Sequence, residues 1–239
     1  MLAQRLSNSI TSSAQALSNV YSLDLDGVDQ SVTADGVAGD MDPNLGTYSL
    51  WLKIPTYYAN ATFMISRADT SNQMAMYYST YNSAVTGSWK ASGTSNFITT
   101  GVDIAGDNKW HHVAVTWDKA ANQLKMYQDG VLNDTVVMTN TFSGTLSLFD
   151  IGGNTAGANY PEGNFSQAAI FTRVVPIEEL YVADQQPVDL TGSAGLVGYF
   201  ELNEGAGTVA NDSSGSGNRG ELTNLTITSW STDVPYKGN

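Results

Sequence analysis

"KWHHVAVTWDKAANQLKMYQDG", residues 109–130, holds both histidines of the chain, His111 and His112. Val113, Val115 and Trp117 recur at every second position, the period of a β-strand. Successive side chains of a strand point to opposite faces. His111 therefore shares a face with Val113, Val115 and Trp117. His112 shares the other with Trp110, Ala114 and Thr116. The two rings diverge, so they do not chelate one metal as a pair. The face of Val113, Val115 and Trp117 is the more apolar and is expected to be the core. His111 is then a buried or half-buried histidine with its ring nitrogens tied to backbone or a hydroxyl, and His112 points to solvent. "DKAAN" (118–122) makes a turn, Leu124 and Met126 share one face of the return strand, and Asp129-Gly130 turns the chain again. The stretch is a β-hairpin.

The same period extends outward. "YSLDLDGVDQSV" alternates and breaks at Asp26-Gly27, and "YSLWLKI" (48–54) alternates again. "ATFMIS" (61–66) is apolar throughout, as in a strand covered on both faces. Further short strands follow at 72–80 and 87–92, at "TLSLFDIGG", and at 166–174 and 195–202. Turn signals recur about every 8–12 residues, the rhythm of a sandwich or jelly roll. One internal helix is expected at "PIEELYVAD" (176–184), with Pro176 at its start and two glutamates in the first turn.

The 239 residues suit one all-β domain with a short appendage. Ten Lys plus Arg against 23 Asp plus Glu give a net charge of −13. That balance leaves no footprint for nucleic acid or anionic lipid. There is no cysteine, so no disulfide is needed. No apolar run reaches the length of a membrane span.

Residues 1–20 differ from the rest. Leu2, Leu6, Ile10 and Leu17 form a helical stripe. A short N-terminal helix is expected there, serving as an anchoring or oligomerisation segment ahead of a domain at 21–239. The segment has one arginine and no continuous apolar core, so it does not look like a signal peptide. The expectation is a chain that begins here and is not exported by the usual route.

Four stretches together resemble the laminin G-like, concanavalin A-like jelly-roll superfamily. They are the hairpin at 109–132, "IGGNTAGANYPEGNFSQAAIFTRVVPIEEL" (151–180), "GLVGYFELNEGAGTVANDSSGSGNRGEL" (195–222) and "YSLDLDGVDQSV". The resemblance implies a sandwich of two antiparallel sheets. In many members the "YFELNEG…DSSG" strand comes first; here it comes last. The chain looks circularly shifted, and that order resembles domains of phage virion proteins.

The superfamily contains hydrolases, lyases and lectins, so fold leaves function open. The Glu-x-Asp-x-x-Glu or Glu-x-Asp-x-Glu strand of its hydrolases does not occur. Asp24 and Asp26 have no glutamate partner in sequence, and Glu178 and Glu179 read as helix-start residues. No catalytic residue is assigned. Calcium is the cofactor the resemblance suggests, since laminin G-like and pentraxin-like domains often bind it. Asp212 and Asn218 in "NDSSGSGNRG", completed by Asp26 or Asp29, are the candidate ligands; the same loop also reads as a tight Asx-rich turn. Glycan contact needs exposed rings beside polar groups. Of the loop aromatics, which also include Tyr57 and Tyr58, the residues singled out are Tyr77, Tyr81, Trp89 and Tyr160. The resulting expectation is a non-catalytic virion subunit, a capsid decoration, head-fibre or tail-associated protein. It would be a homo-oligomer held to other virion proteins through residues 1–20, displayed at the virion surface and able to touch host-surface glycans. The alternative is a free, extracellular, calcium-dependent lectin.

Overall fold

Glycine at position 46 lets the ring of Trp117 close over the backbone. A Cβ there would sit 2.3 Å from Cζ2 of Trp117 and 2.7 Å from the carbonyl of Phe171. With no side chain in the way, Trp117 lies flat against the neighbouring strand and meets Tyr48 edge-on at 5.0 Å. Its indole N–H donates to the carbonyl of Asp42 at 3.1 Å, and that of Trp89 donates to the carbonyl of Pro43 at 2.8 Å. Two fully buried tryptophans thus tie one turn to the core.

The computed structural model describes residues 19–55, 60–153, 159–183 and 187–235. The strands run in order as β1 (Ser22–Asp26), β2 (Ser31–Thr33), β3 (Leu45–Lys53), β4 (Thr62–Asp69), β5 (Asn72–Ser79) and β6 (Ala84–Ala91). They continue as β7 (Thr94–Thr99), β8 (His111–Asp118), β9 (Gln123–Gln128), β10 (Val131–Val137), β11 (Leu148–Ile151) and β12 (Glu162–Phe171). The last four are β13 (Leu196–Phe200), β14 (Val209–Ala210), β15 (Gly220–Thr223) and β16 (Trp230–Ser231). Two short helices, α1 (Asp35–Asp40) and α2 (Ile177–Leu180), complete the description with a 3₁₀ turn at Ile227–Ser229.

The strands form two antiparallel sheets of eight. One runs β10-β9-β8-β3-β12-β1-β16, with β13 also paired to β12. The other runs β14-β15-β2-β11-β4-β5-β6-β7. Their inner faces meet in one apolar core that includes Leu23, Tyr48, Met64, Met76, Trp89, Val113, Trp117 and Phe149. This is the expected all-β jelly-roll sandwich. The C-terminal strands return to the N-terminal ones: β16 pairs with β1, and β15 with β2. The described ends are neighbours, the geometry a circularly shifted order requires. The residues of the N-terminal stripe, Leu2, Leu6, Ile10 and Leu17, lie outside the described residues, as do Tyr57 and Tyr58.

The hairpin forms as read, but His112 is buried where an exposed ring is expected, and the ring of His111 is tied to carboxylates rather than to backbone or a hydroxyl. His112 is fully buried and His111 only half-buried. Strand alternation holds; the error lies in treating one face of β8 as solvent. Both faces are packed, because Val175, Leu180, Val188, Leu190 and Tyr199 cover the outer face in a second apolar cluster with Ala114. The His112 ring lies 5.4 Å from that of Trp51 and 5.5 Å from that of Tyr181. Its Nε2 sits 2.8 Å from the hydroxyl of Ser49. Burial pushes its pKa down to about 4. His111 bridges two carboxylates instead, Asp129 at 2.7 Å and Asp107 at 3.0 Å. Burial alone would lower its pKa, but those hydrogen bonds outweigh it and the pKa is raised. The helix expected at 176–184 spans only Ile177–Leu180.

Candidate functional site

One end of the second sheet, β4 to β7, has a face turned away from the core, its floor of Thr62, Ile65, Ala75, Thr86 and Ser88 buried below a more exposed rim. Side chains at Met64, Met74, Met76, Trp89 and Ile98 enter the core, so their strand neighbours point away from it. Register aligns these neighbours in cross-strand rows. Ile65, Ala75, Ser88 and Phe97 make the central row. Arg67, Gln73, Lys90 and Ser95 make the row on one side of it, and Thr62, Tyr77, Thr86 and Thr99 the row on the other. Ala75 and Ser88 are small, so the middle of the face is low. Tyr77, Phe97, Gln73 and Lys90 are large, so its rim is high. The result is an open groove of about 240 Å³, which Asn60 and Asn159 also line.

The groove continues into a second hollow of about 340 Å³ between Tyr77, Ser79, Tyr81, Asn82 and Phe97. Tyr77 and Phe97 belong to both. Phe97 is 53% exposed and Tyr81 is 95% exposed, the latter at the β5–β6 turn. Exposed rings that face water gain from covering by an apolar surface. Among the described residues the polar groups between them are amides, hydroxyls and one ammonium, and no carboxylate lines either hollow. Rings beside amides and hydroxyls are the combination that grips a sugar, whose C–H face stacks while its hydroxyls hydrogen-bond.

Of the rings predicted to contact glycan, Tyr77 and Tyr81 come together here. Trp89 does not. It belongs to the same strands but to the opposite face, fully buried with its N–H on Pro43. Tyr160 stands apart on the backbone of Gly153, where a Cβ would be 2.6 Å from its ring. Phe97 was missed. Its signal was the turn Ser92-Gly93 followed by "TSNFIT", a hairpin partner for β6 in which Phe97 and Ile98 must face opposite ways.

The calcium candidates do not converge. Asp212 bridges to Phe200, which pairs with Ala168 of β12; Asp26 pairs with Glu162, six residues along the same strand. At about 3.3 Å per residue that separates them by roughly 20 Å. The Asp212 carboxylate accepts backbone N–H bonds from Tyr199 at 3.0 Å, Ser214 at 2.9 Å and Asn218 at 2.8 Å. The Asn218 amide donates to Asp40 and to the carbonyl of Val197. The loop is organised as an Asx turn, and these residues do not fit a calcium cage. Among the described residues no group of three His, Asp or Glu side chains is placed to hold a metal.

Two further hollows are acidic. Asp24, Asp26 and Glu162 line one with Gln30 and Asn224. Burial, then the neighbouring carboxylates of Glu162, Asp233 and Asp26, raise the Asp24 pKa. The structure thus supplies Asp26 with the glutamate neighbour its own strand lacks, although no aromatic ring lines this hollow. Glu201 and Glu204 line the other with Asn203, Asn211 and Ser213. No helix among the described residues is long and apolar enough to cross a membrane.

Comparison with known proteins places this architecture. The profile of the concanavalin A-like lectin/glucanases superfamily, laminin G type, matches residues 26–180. The chain belongs to that family. No curated protein matches the chain. Among solved structures, a candidate carbohydrate-binding protein from Bacteroides ovatus superposes with a TM-score of 0.63 at 18% identity, over 88% of this chain. The match spans 60% of that protein's length. The CBM40 module of a Ruminococcus gnavus sialidase, solved with α2,3-sialyllactose, gives 0.51 at 15% identity, over 68% of this chain and 97% of its own. Domains LG4-5 of mouse laminin α1 give 0.51 at 11% identity, over 79% and 48%. At these identities the likeness is one of fold.

Proposed function

We propose that the protein is a non-catalytic, lectin-type carbohydrate-binding module, and that glycan lies in the β4–β7 groove with its apolar face on Tyr77, Phe97 and Tyr81. The observation that carries this is the pair of solvent-facing rings, Phe97 and Tyr81, flanking a low floor of Ala75 and Ser88. The named neighbours support it, since two are carbohydrate-binding proteins or modules by name. They favour the free-lectin alternative over the virion subunit, because none of the three is a virion protein. A particle-attached or oligomeric setting, through Leu2, Leu6, Ile10 and Leu17, is a separate proposal that deletion of residues 1–20 would test. Calcium has no part in the groove reading.

The test is a glycan array followed by titration calorimetry on the strongest hit. Phe97→Ala and Tyr77→Ala should each weaken binding about tenfold, or about 1.4 kcal/mol, by removing a stacking surface. Wild-type affinity in both variants would refute the site. Turnover of any bound polysaccharide would refute the non-catalytic assignment.

A further inference from the structure

The charge lining the groove departs from that of the chain. The protein carries 23 acidic and 10 basic residues, and two further hollows are lined by carboxylates. Among the described residues the β4–β7 groove has none, and it has Lys90 in its wall. Register sets Arg67 in the same cross-strand row, one strand beyond Gln73. Two of ten cationic side chains thus flank one glutamine on the outward face.

Neither cation forms an ion pair among the described residues. The nearby acid, Asp69, has its carboxylate turned to the β4–β5 turn, accepting from the N–H of Ser71 at 2.7 Å and from the amide of Asn72 at 3.1 Å. Both cations are nevertheless held in place. Lys90 Nζ donates one hydrogen bond to the carbonyl of Thr70 at 2.7 Å, leaving two N–H donors. Arg67 Nε donates to Gln73 Oε1 at 3.2 Å, leaving its terminal NH₂ groups. That bond also orients the Gln73 amide, whose own NH₂ remains to donate. Adjacent strands lie about 4.8 Å apart, so Arg67 and Lys90 stand about 10 Å apart with Gln73 midway. An anion seated above Gln73 meets donors from three side chains.

We infer that the preferred ligand is an acidic glycan, with a sugar carboxylate bound over Gln73 between Lys90 and Arg67 while the ring stacks toward Phe97. The inference rests on the groove being the glycan site. Charge-assisted hydrogen bonds to a carboxylate are the stronger kind, and a guanidinium suits its planar shape. Removing the negative charge from the ligand should therefore cost more than removing a hydroxyl.

The experiment uses matched pairs: oligogalacturonate and sialyllactose, each as the free acid and as its methyl ester, titrated into the full chain. The acid should bind at least about tenfold more tightly than the ester, and raising salt should weaken only the acid. Lys90→Gln and Arg67→Gln should each lower acid affinity about tenfold and ester affinity by clearly less, narrowing the acid-to-ester ratio, which separates a charge effect from misfolding. Equal affinity for acid and ester, with Phe97→Ala weakening both, would overturn the acidic preference and leave the groove standing. A preference for acid that both variants retain would overturn the assignment to Lys90 and Arg67. Failure of the wild-type chain to bind any glycan on the array would overturn the groove reading itself, and this inference with it.

Discussion

His112 should make the fold sensitive to mild acid, and the size of the effect follows from its burial. In the folded chain the imidazole titrates at about 4, against 6.5 when unperturbed. A histidine depressed in the folded state stabilises above its unfolded pKa, and that contribution fades as pH falls toward the folded value. Between pH 7 and pH 5 the unfolded chain takes up most of a proton at this site while the folded chain takes up little. Integrated over that window, the loss is about 2 kcal/mol. His111 runs the other way, because its pKa is raised in the fold; its contribution is complete below 6.5 and lost as pH rises past the folded value. The assay is urea unfolding of wild type and His112→Gln at pH 7 and pH 5. Glutamine costs some packing against Trp51 and Tyr181 at both pH values, the carboxyls of Asp24 and Glu204 lie away from the substitution, and Asp129, whose pKa is lowered by its hydrogen bonds with His111 and the N–H of His112, stays ionised across this window. The double difference therefore isolates His112. The wild type should lose about 2 kcal/mol more than the variant between pH 7 and pH 5. Equal losses in the two proteins would refute the buried, neutral imidazole.

Three other outcomes follow from the packing. Gly46→Ala forces a methyl group into Trp117 and the Phe171 carbonyl, and should cost about 1–3 kcal/mol in urea unfolding; a neutral result would mean that Trp117 is placed otherwise. Trp89→Ala should cost about 3–5 kcal/mol, since the ring is fully buried. Its loss should appear as a lowered melting temperature rather than as an altered glycan profile of the folded fraction. Asp212→Ala strips three backbone N–H groups of their acceptor and should cost about 1–3 kcal/mol, equally with chelator and with added calcium. A cost confined to calcium-containing buffer would restore the metal reading of that loop.

The fold was legible because its signals are local and repeated. Period-two alternation and Asp-Gly or Asn-rich turns recur along the chain, and most strands fall where they place them. What alternation cannot supply is which faces become covered. β8 has a core face and an outer face as read, yet Val175, Leu180, Tyr181, Val188 and Leu190, far along the chain, bury the outer one and draw His112 in. The same blindness affected Trp89 and Phe97. Both lie in the β6–β7 hairpin, and only the pairing of those strands tells which ring points inward. Helix α1 was missed because "DGVAGD" has two glycines in six residues, a composition that reads as a turn; it forms because Val37 and Ala38 close the core. The proposed ligand set was misjudged for a related reason. Asp26 meets β12 directly and Asp212 only through β13, at points six residues apart along β12, a distance fixed by register rather than by sequence.

The central claim is that glycan occupies the outward face of β4–β7. Amide chemical-shift perturbation with the tightest array hit tests it most directly. The account predicts that the largest changes fall on Gln73–Tyr77, Ser88–Lys90 and Ser95–Phe97, with little change at Asp24, Asp26 and Glu162. Perturbations centred on that acidic hollow or on Glu201–Ser213, with β5–β7 unmoved, would contradict it.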